Sequence, residues 1–499
     1  MNEIRVTYSG LISLIFGIIT IPVSLAFMLI ITRSLSTLDY GAYTLILGII
    51  MYAMIVEPVI TYWLSREVAR GVNSGRSAIF FGSGFSIFGI IIYLISAFIL
   101  GQNTDAPQDV LLFGLIIIPP FFINKILTSI NSGIKPHIPI ITNFIFSLSC
   151  LTIAGITTTF FEFNLWVLIE IISISYLISC VVLWYHSKEY LKEKTNLRFI
   201  KKCIRLSWIP LFTSLGYFLL IIDITIFSLI TGSVIGLAFW GVAIMISRVT
   251  DISSHITRAM YVNLLRGSQN EFNENLNLLF YFVVFFSTII LTFGKHALFL
   301  LNPEYEIATI LLIILTIHTA ISVFTGHFQS SINSIEKIDV NEDGTWKQYI
   351  HSKLISIPII QLLHTVIYLT SLTLGLIIMK ETNNFLEMLY FWAIISLITN
   401  IPFTLYYWIV LKKKSTFKIH HLRILKYFIT GGITFVVTSL VTNEFLVMES
   451  NPLIFAPRLM LFMILGISMY VTLTYISDSK IRKLFKEIIQ ELKIFKQNK

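Results

Sequence analysis

Fourteen apolar runs of about twenty residues, joined mostly by short polar links, leave this chain few folds. Crossing about 30 Å of hydrocarbon at 1.5 Å per residue takes about twenty residues of helix. The runs fall near 9–32, 41–64, 78–101, 109–131, 137–160, 164–186, 206–231, 234–258, 277–301, 306–332, 351–379, 384–411, 427–446 and 455–476, here spans 1–14. With 56% hydrophobic and 13% charged residues among 499, a water-soluble domain is excluded. The expected fold class is an all-α integral membrane protein of about fourteen transmembrane helices. The first run follows Met1-Asn2-Glu3-Ile4-Arg5 directly. It is too long for a signal core and lacks a small-residue cleavage site, so a retained span is expected.

Orientation follows from where Lys and Arg sit. One set of links carries Arg5, Arg66, Arg70, Arg76, Lys135, the segment 188–205, Arg258, Arg266, the segment 337–353, the loop 412–426 and the tail from Lys480. The other set holds Arg33, Lys295, Lys380 and Arg458 among acids such as Asp39, Asp105, Asp109, Glu162, Glu304 and Glu449. This predicts cytoplasmic termini in a cell membrane. The net charge of +9 is thus a topology signal. No compact basic soluble domain exists to bind nucleic acid. Cys150, Cys180 and Cys203 have neither disulfide nor metal spacing and read as apolar filler.

Punctuation repeats along the chain. Leu38-Asp39-Tyr40-Gly41-Ala42-Tyr43 opens span 2, and Val234-Ile235-Gly236-Leu237-Ala238-Phe239 opens span 8. Span 2 ends in Ser65-Arg66-Glu67-Val68-Ala69-Arg70-Gly71; span 8 ends in Thr257-Arg258-Ala259-Met260 and runs on to Arg266-Gly267. Two six-span bundles of equal orientation are expected, at 1–187 and 206–411, related by an axis along the membrane normal. Between them, 188–205 places Leu191, Leu197, Ile200 and Ile204 among charges, a pattern for an amphipathic linker helix at the cytoplasmic interface. A basic loop at 412–426, two added spans within 427–476 and an amphipathic tail at 477–499 complete the layout. Anionic lipid and the protein's own loops are alternative partners for that tail. The acidic loop 336–353 does not match an EF-hand and reads as a solvated turn.

No phosphate-binding loop and no H-E-x-x-H are present, and outer links are too short for a sugar-transfer site. Neither enzyme activity nor a cofactor is expected. Attention falls instead on charges inside spans, which are costly and face protein or water. The arm 244–258 places Arg248, Asp251, His255 and Arg258 at steps of three, four and three, one face of a helix. Arg248 either faces a wet cavity or is neutralised by Asp251. Asp223 has no partner on its own helix and needs one from another span, or a bound proton or cation. Lys125 follows Pro119-Pro120 and either lines the cavity or snorkels. Glu57 precedes Pro58, which marks a bend. Glu170 and Arg33 sit near span ends, where interface anchoring competes with a ligand role. His318, Gln361 and His364 add polar points. Tyr52, Tyr62, Trp63, Tyr217 and Trp240 either stack on sugars or pack the core.

The stretch from Arg33 to Tyr43, the ending Arg66-Glu67-Val68-Ala69-Arg70 and the duplicated Gly236–Gly241 opening resemble the polysaccharide transporter (O-antigen flippase) family. That family belongs to the multidrug/oligosaccharidyl-lipid/polysaccharide flippase superfamily. The resemblance implies two six-helix bundles around a central cavity that carries a lipid-linked oligosaccharide to the outer leaflet. It implies cationic residues meeting the diphosphate, with Arg248 as the best match and Lys125 the next; Arg33, Glu57 and His255 are further substrate-site candidates from their places in the sequence. Coupling to Na+ or H+ would fall to Asp223 and Asp251. Partners would be the lipid-linked glycan, membrane lipids and glycan-assembly enzymes, around a monomer. The rivals are an organic-cation antiporter of the same superfamily, a membrane glycosyltransferase or polymerase, and a scaffold for glycan assembly.

Overall fold

The computed structural model of this chain describes residues 4–135, 137–192, 196–254, 269–335, 353–382, 384–414, 420–483 and 485–486. His255, Arg258, the acidic loop at 336–352 and the tail beyond 486 lie outside the described residues. The described chain is helical, with no strand. All fourteen expected spans are present: Ile15–Ser34, Thr37–Val56, Gly75–Asn103, Gln108–Ile134, Ile138–Phe160, Leu165–Leu191, Trp208–Thr231, Ile235–Ser254, Leu276–Leu301, Pro303–Ile332, Ile355–Met379, Phe385–Lys413, His421–Phe445 and Pro452–Ser477. Each is long and apolar enough to cross a bilayer. The protein is a multi-pass membrane protein. Side chains such as Phe80, Ile378 and Leu461 stand fully outward, as lipid contact requires.

Spans on the acid-rich side start at short polar caps. Ser36 accepts from the Asp39 amide, Asn164 from that of Val167, and Asn451 from that of Leu453. Each satisfies an amide that helix geometry leaves without a partner.

Four spans are interrupted. In span 2 a 3-10 turn at Met54–Val56 precedes the helix Pro58–Ala69, as the proline predicts. The Met54 carbonyl, which Pro58 cannot reach, accepts from the Glu57 amide at 3.0 Å. In span 4 the turn Gly114–Ile117 precedes Pro119 and Pro120. Ser173 of span 6 donates to the Ile116 carbonyl at 3.2 Å, the oxygen Pro120 leaves open. Span 7 breaks at Ile221, between Trp208–Leu220 and Ile222–Thr231, without a proline. Span 8 tightens to a 3-10 turn at Arg248–Asp251. The last two interruptions carry no sequence signal of the proline kind.

By contact the chain divides into two compact units. One comprises Met1–Val242 with Glu336–Phe403, the other Ala243–Ile335 with Thr404–Lys499. Contact units and sequence repeats divide the chain differently, since 188–205 lies inside the first unit.

In the first unit, glycines let backbones approach, as lipid-embedded helices need. A Cβ on Gly89 would stand 2.6 Å from the Ala53 carbonyl oxygen, and one on Gly41 would overlap that of Val234. The linker forms a 3-10 turn at Lys188–Leu191 and a helix at Leu197–Arg205. Its protein-facing residues are Phe199 and Cys203, both buried, whereas Leu197 and Ile204 of the expected apolar stripe are exposed. Lys202 pairs with Glu67 at 2.8 Å and pins this helix to the end of span 2. Burial pushes the Cys203 thiol up to about 12, with Glu67 adding to the effect.

In the second unit, spans 13 and 14 lie along span 9. Tyr281, Val284, Tyr427, Tyr470 and Ile481 form one cluster, and Phe293, Leu446, Phe455 and Leu459 another. Tyr427 donates to Asp478 at 2.6 Å, and Arg423 lies 3.6 Å from the same oxygen. Ile481 therefore ties the base of the tail to the protein.

Gly41→Val should lower stability by about 1–3 kcal/mol through overpacking, read as thermal melting in detergent. Gly17→Ala, whose Cβ meets nothing within 4 Å, should be neutral. Cys203 should resist maleimide at neutral pH in the native protein and react once it is denatured. The unfolded thiol ionises near pH ~8.5. Burial of the neutral thiol therefore adds stability that is full below that value and shrinks as pH rises toward 12.

Candidate functional site

Asp223 is the second residue of the half-helix Ile222–Thr231, just past the break in span 7. Its Oδ1 accepts from the Ile224 amide at 2.7 Å. The helix N-terminus adds its positive dipole end. Span 11 supplies the Tyr368 hydroxyl, which donates to Oδ2 at 2.8 Å. Span 12 supplies the Trp392 indole N–H, 2.7 Å from the Tyr368 oxygen and 3.3 Å from Oδ2. Trp392 is fully buried, stacked on Trp240 at 3.7 Å with 6° between planes and facing Phe227 at 5.1 Å. Trp240 is thus a packing residue.

The break itself is held from span 2. Tyr52 donates to the Ile221 carbonyl at 2.9 Å, and its oxygen lies 2.5 Å from the Thr225 hydroxyl. Thr365 of span 11 donates to the Gly216 carbonyl at 3.2 Å, and Gln361 packs on the same glycine. Five spans of the first unit therefore meet around one carboxylate. Of the alternatives left open for Asp223, a partner from another span or a bound proton or cation, the structure supplies partners from spans 11 and 12. Tyr368 and Trp392 were not singled out in the sequence. The available signal was chemical, since a Trp or Tyr in mid-span needs a partner for its hydrogen.

A second tie lies on the acid-rich side. Asp105, in the link between spans 3 and 4, accepts from the Ser233 hydroxyl at 2.6 Å and the Val234 amide at 2.7 Å. Its own amide donates to the Gly232 carbonyl at 3.0 Å. Gly232 ends span 7 at φ +70°, which a residue with a Cβ rarely adopts. Asp105 thus caps the start of span 8 from another part of the chain.

The other candidates are dispersed. Glu57 is half-buried at the span 2 interruption and feels the charge of Lys125, though the two make no ion pair. The Lys125 ammonium lies 5.0 Å from the centre of the Phe121 ring. Arg33 is half-buried in the last turn of span 1, and Glu170 is exposed near the start of span 6. Arg248 and Asp251 lie in the second unit. Arg248 is exposed and makes no ion pair among the described residues, so mutual neutralisation with Asp251 is not seen. A 3-10 turn spans the two residues. Among the described residues no cluster of His, Cys, Asp and Glu could hold a metal ion.

No family model matches this chain, and no curated protein matches its sequence. Solved structures do match. An inward-facing multidrug resistance transporter of the MATE family, MOP superfamily, aligns at TM-score 0.56 and 12% identity, covering 82% of this chain and all of its own. The lipid II flippase MurJ in an inward closed conformation aligns at 0.55 and 14%, covering 93% of this chain and 99% of its own. A MOP superfamily transporter from Pyrococcus furiosus, described as having a binding pocket of reverse polarity, aligns at 0.52 and 13%, over 82% and 95%. The chain has the fold of the MOP superfamily transporters. The 93% match must include residues from His421 onward, because that segment exceeds the share left uncovered. The match therefore extends into the segment that holds spans 13 and 14.

Asp105→Ala should cost about 1 kcal/mol, the usual loss of a helix cap, seen as a lower melting temperature in detergent. Glu162→Ala, exposed on the same side, should leave it unchanged.

Proposed function

We propose that this protein is a non-enzymatic transporter that flips a lipid-linked oligosaccharide from the cytoplasmic to the outer leaflet, for surface-polysaccharide or glycoprotein-glycan assembly. The observation that carries the reading is Arg248. It lies roughly 20 Å of helix from Ile235 at 1.5 Å per residue. It is exposed there and has no ion pair among the described residues. A guanidinium turned to hydrocarbon at such depth costs about 2.5–3.5 kcal/mol. Water with an anion repays that cost, and a guanidinium matches phosphate oxygens two at a time. A phosphate-bearing headgroup supplies that anion, while its lipid tail stays in the bilayer. The fold alone does not choose a substrate, since a reverse-polarity pocket occurs on it. Two features support the lipid-linked class: the exposed cation, and a match to a lipid flippase over 93% of this chain.

In this reading Lys125, Arg33 and Glu57 are further substrate contacts, and His255, outside the described residues, remains a candidate. Asp223, with Asp251 as a second acid, couples the cycle to an ion gradient. Alternating access proceeds by movement of one six-span half against the other, in a monomer with both termini cytoplasmic. An organic-cation exporter is the second reading, favoured by the multidrug neighbours. It would need a carboxylate facing the substrate, whereas Asp223 is engaged by three donors.

Arg248→Ala should abolish export of the glycan at unchanged protein level, and Arg248→Lys should retain part of it. Normal export by a well-expressed Arg248→Ala protein would refute the role. Extrusion of organic cations that survives in Arg248→Ala and fails in Asp223→Asn would favour the second reading.

A further inference from the structure

We propose that the linker helix Leu197–Arg205 is a binding surface for anionic phospholipid of the adjoining leaflet. The inference stands apart from the transported substrate. The helix has three faces, not two. Phe199 and Cys203, four apart, are buried against the protein. Beside them Lys202 pairs with Glu67 of span 2 at 2.8 Å. Just ahead of the helix, the Asn196 amide donates to the Ser77 hydroxyl of span 3 at 2.5 Å. The helix is thereby fixed along one side and cannot roll over.

The rest of the helix divides into two strips. Leu197, Ile200 and Ile204 recur at steps of three and four, and Arg198, Lys201 and Arg205 do the same one position further on. The first strip is apolar, with Leu197 74% and Ile204 56% exposed and Ile200 half-buried. The second is basic. Its three side chains are exposed and make no ion pair among the described residues. Packing on the protein uses Phe199 and Cys203 and leaves both strips largely outward.

Connectivity puts both strips at a membrane surface. Span 6 ends at Leu191, and span 7 begins at Trp208, three residues past the end of the helix. Three residues reach about 11 Å at most, so the helix stays near the level where span 7 enters the bilayer. An apolar strip set into the headgroup boundary beside a cationic one is how a helix lies in an interface. Cations there favour acidic headgroups, each worth about a fivefold change in partition. The surroundings carry the same sign. Arg70 at the end of span 2 and Arg76 at the start of span 3 are exposed, on the two spans that hold the helix. Among the described residues from 188 to 205, the one acid is Glu189.

The test uses the full-length protein in lipid nanodiscs and needs no transported substrate. Cys150, Cys180 and Cys203 are buried, so a cysteine introduced as Leu197→Cys takes a maleimide fluorophore, with wild type as the labelling background. Quenching is read from a nitroxide on the acyl chain of phosphatidylglycerol or of phosphatidylcholine, at equal nitroxide content. Stronger quenching by the phosphatidylglycerol form, weakened by added salt, is the expected result. Arg198→Gln, Lys201→Gln and Arg205→Gln together should erase the preference. Lys380→Gln, a cation on the opposite set of links, should keep it. Equal quenching by the two lipids overturns the proposal, because contact without headgroup selection is ordinary lipid exposure. Quenching by neither also overturns it, and a protein partner then covers the strip. A preference that survives the triple substitution overturns the assignment to this helix. A lipid-linked diphosphate that displaces phosphatidylglycerol from wild type makes the helix part of the substrate path and overturns it as well. Should the triple variant melt early, the three single substitutions answer the same question, each cutting the preference by up to about fivefold.

Discussion

Hydrocarbon offers no hydrogen bonds, so every backbone break inside a span must be closed by the protein itself. This requirement organises the interior of the first unit. Pro120 leaves the Ile116 carbonyl open, and Ser173 fills it. The break at Ile221 exposes a carbonyl that Tyr52 reaches from span 2. The same break starts a new helix, whose N-terminus favours a carboxylate, and Asp223 stands there. A charge that is costly in lipid becomes tolerable because the discontinuity beside it supplies amide donors. Tyr368 and Trp392 complete its hydrogen bonds.

The fold was legible because its signal is coarse. A run of about twenty apolar residues needs no partner to be recognised, and each of the fourteen corresponds to a helix of spanning length. Prolines at 58, 119 and 120 marked two of the interruptions. The breaks at Ile221 and Arg248–Asp251 were hidden, because they depend on tertiary contacts and not on a residue that forbids helix. The linker shows the same limit. Its amphipathic period was readable, but Leu197 and Ile204 are exposed while Phe199 and Cys203 are buried. Periodicity gives a helix and two faces; which face meets protein depends on neighbours such as Glu67, which fixes Lys202.

The candidate site was legible only as isolated charges. Asp223 stood out because an acid in an apolar helix is costly, and the same cost implies partners without naming them. Tyr368 and Trp392 lie 145 and 169 residues away and carry no charge. Asp105 resembled any acid on a link, and its capping of Val234 is set by an approach of two links far apart in sequence. Arg248 and Asp251 stand three apart, a spacing that suits an ion pair on an α-helix. A 3-10 turn spans the two, and although it lines up residues three apart, no ion pair joins them. The structure thus leaves exposed a cation that the sequence alone left between two readings.

Span 7 is tied at two depths by side chains from separate elements. Asp105 holds its glycine end, and Tyr52 holds its midpoint. Each tie is a small set of hydrogen bonds, to backbone atoms and to the hydroxyls of Ser233 and Thr225. Such bonds break singly at modest cost, and water can replace them once it reaches them. The half-helix Ile222–Thr231 is only ten residues long and begins at an existing discontinuity. A hinge needs a place where φ and ψ can change without unpicking a continuous helix, and Ile221 provides one. Trp392, by contrast, is clamped by stacked rings on both faces. Phe227 of that same half-helix is one of the two rings, so Trp392 is joined to span 7 both by stacking and, through Asp223, by hydrogen bonding.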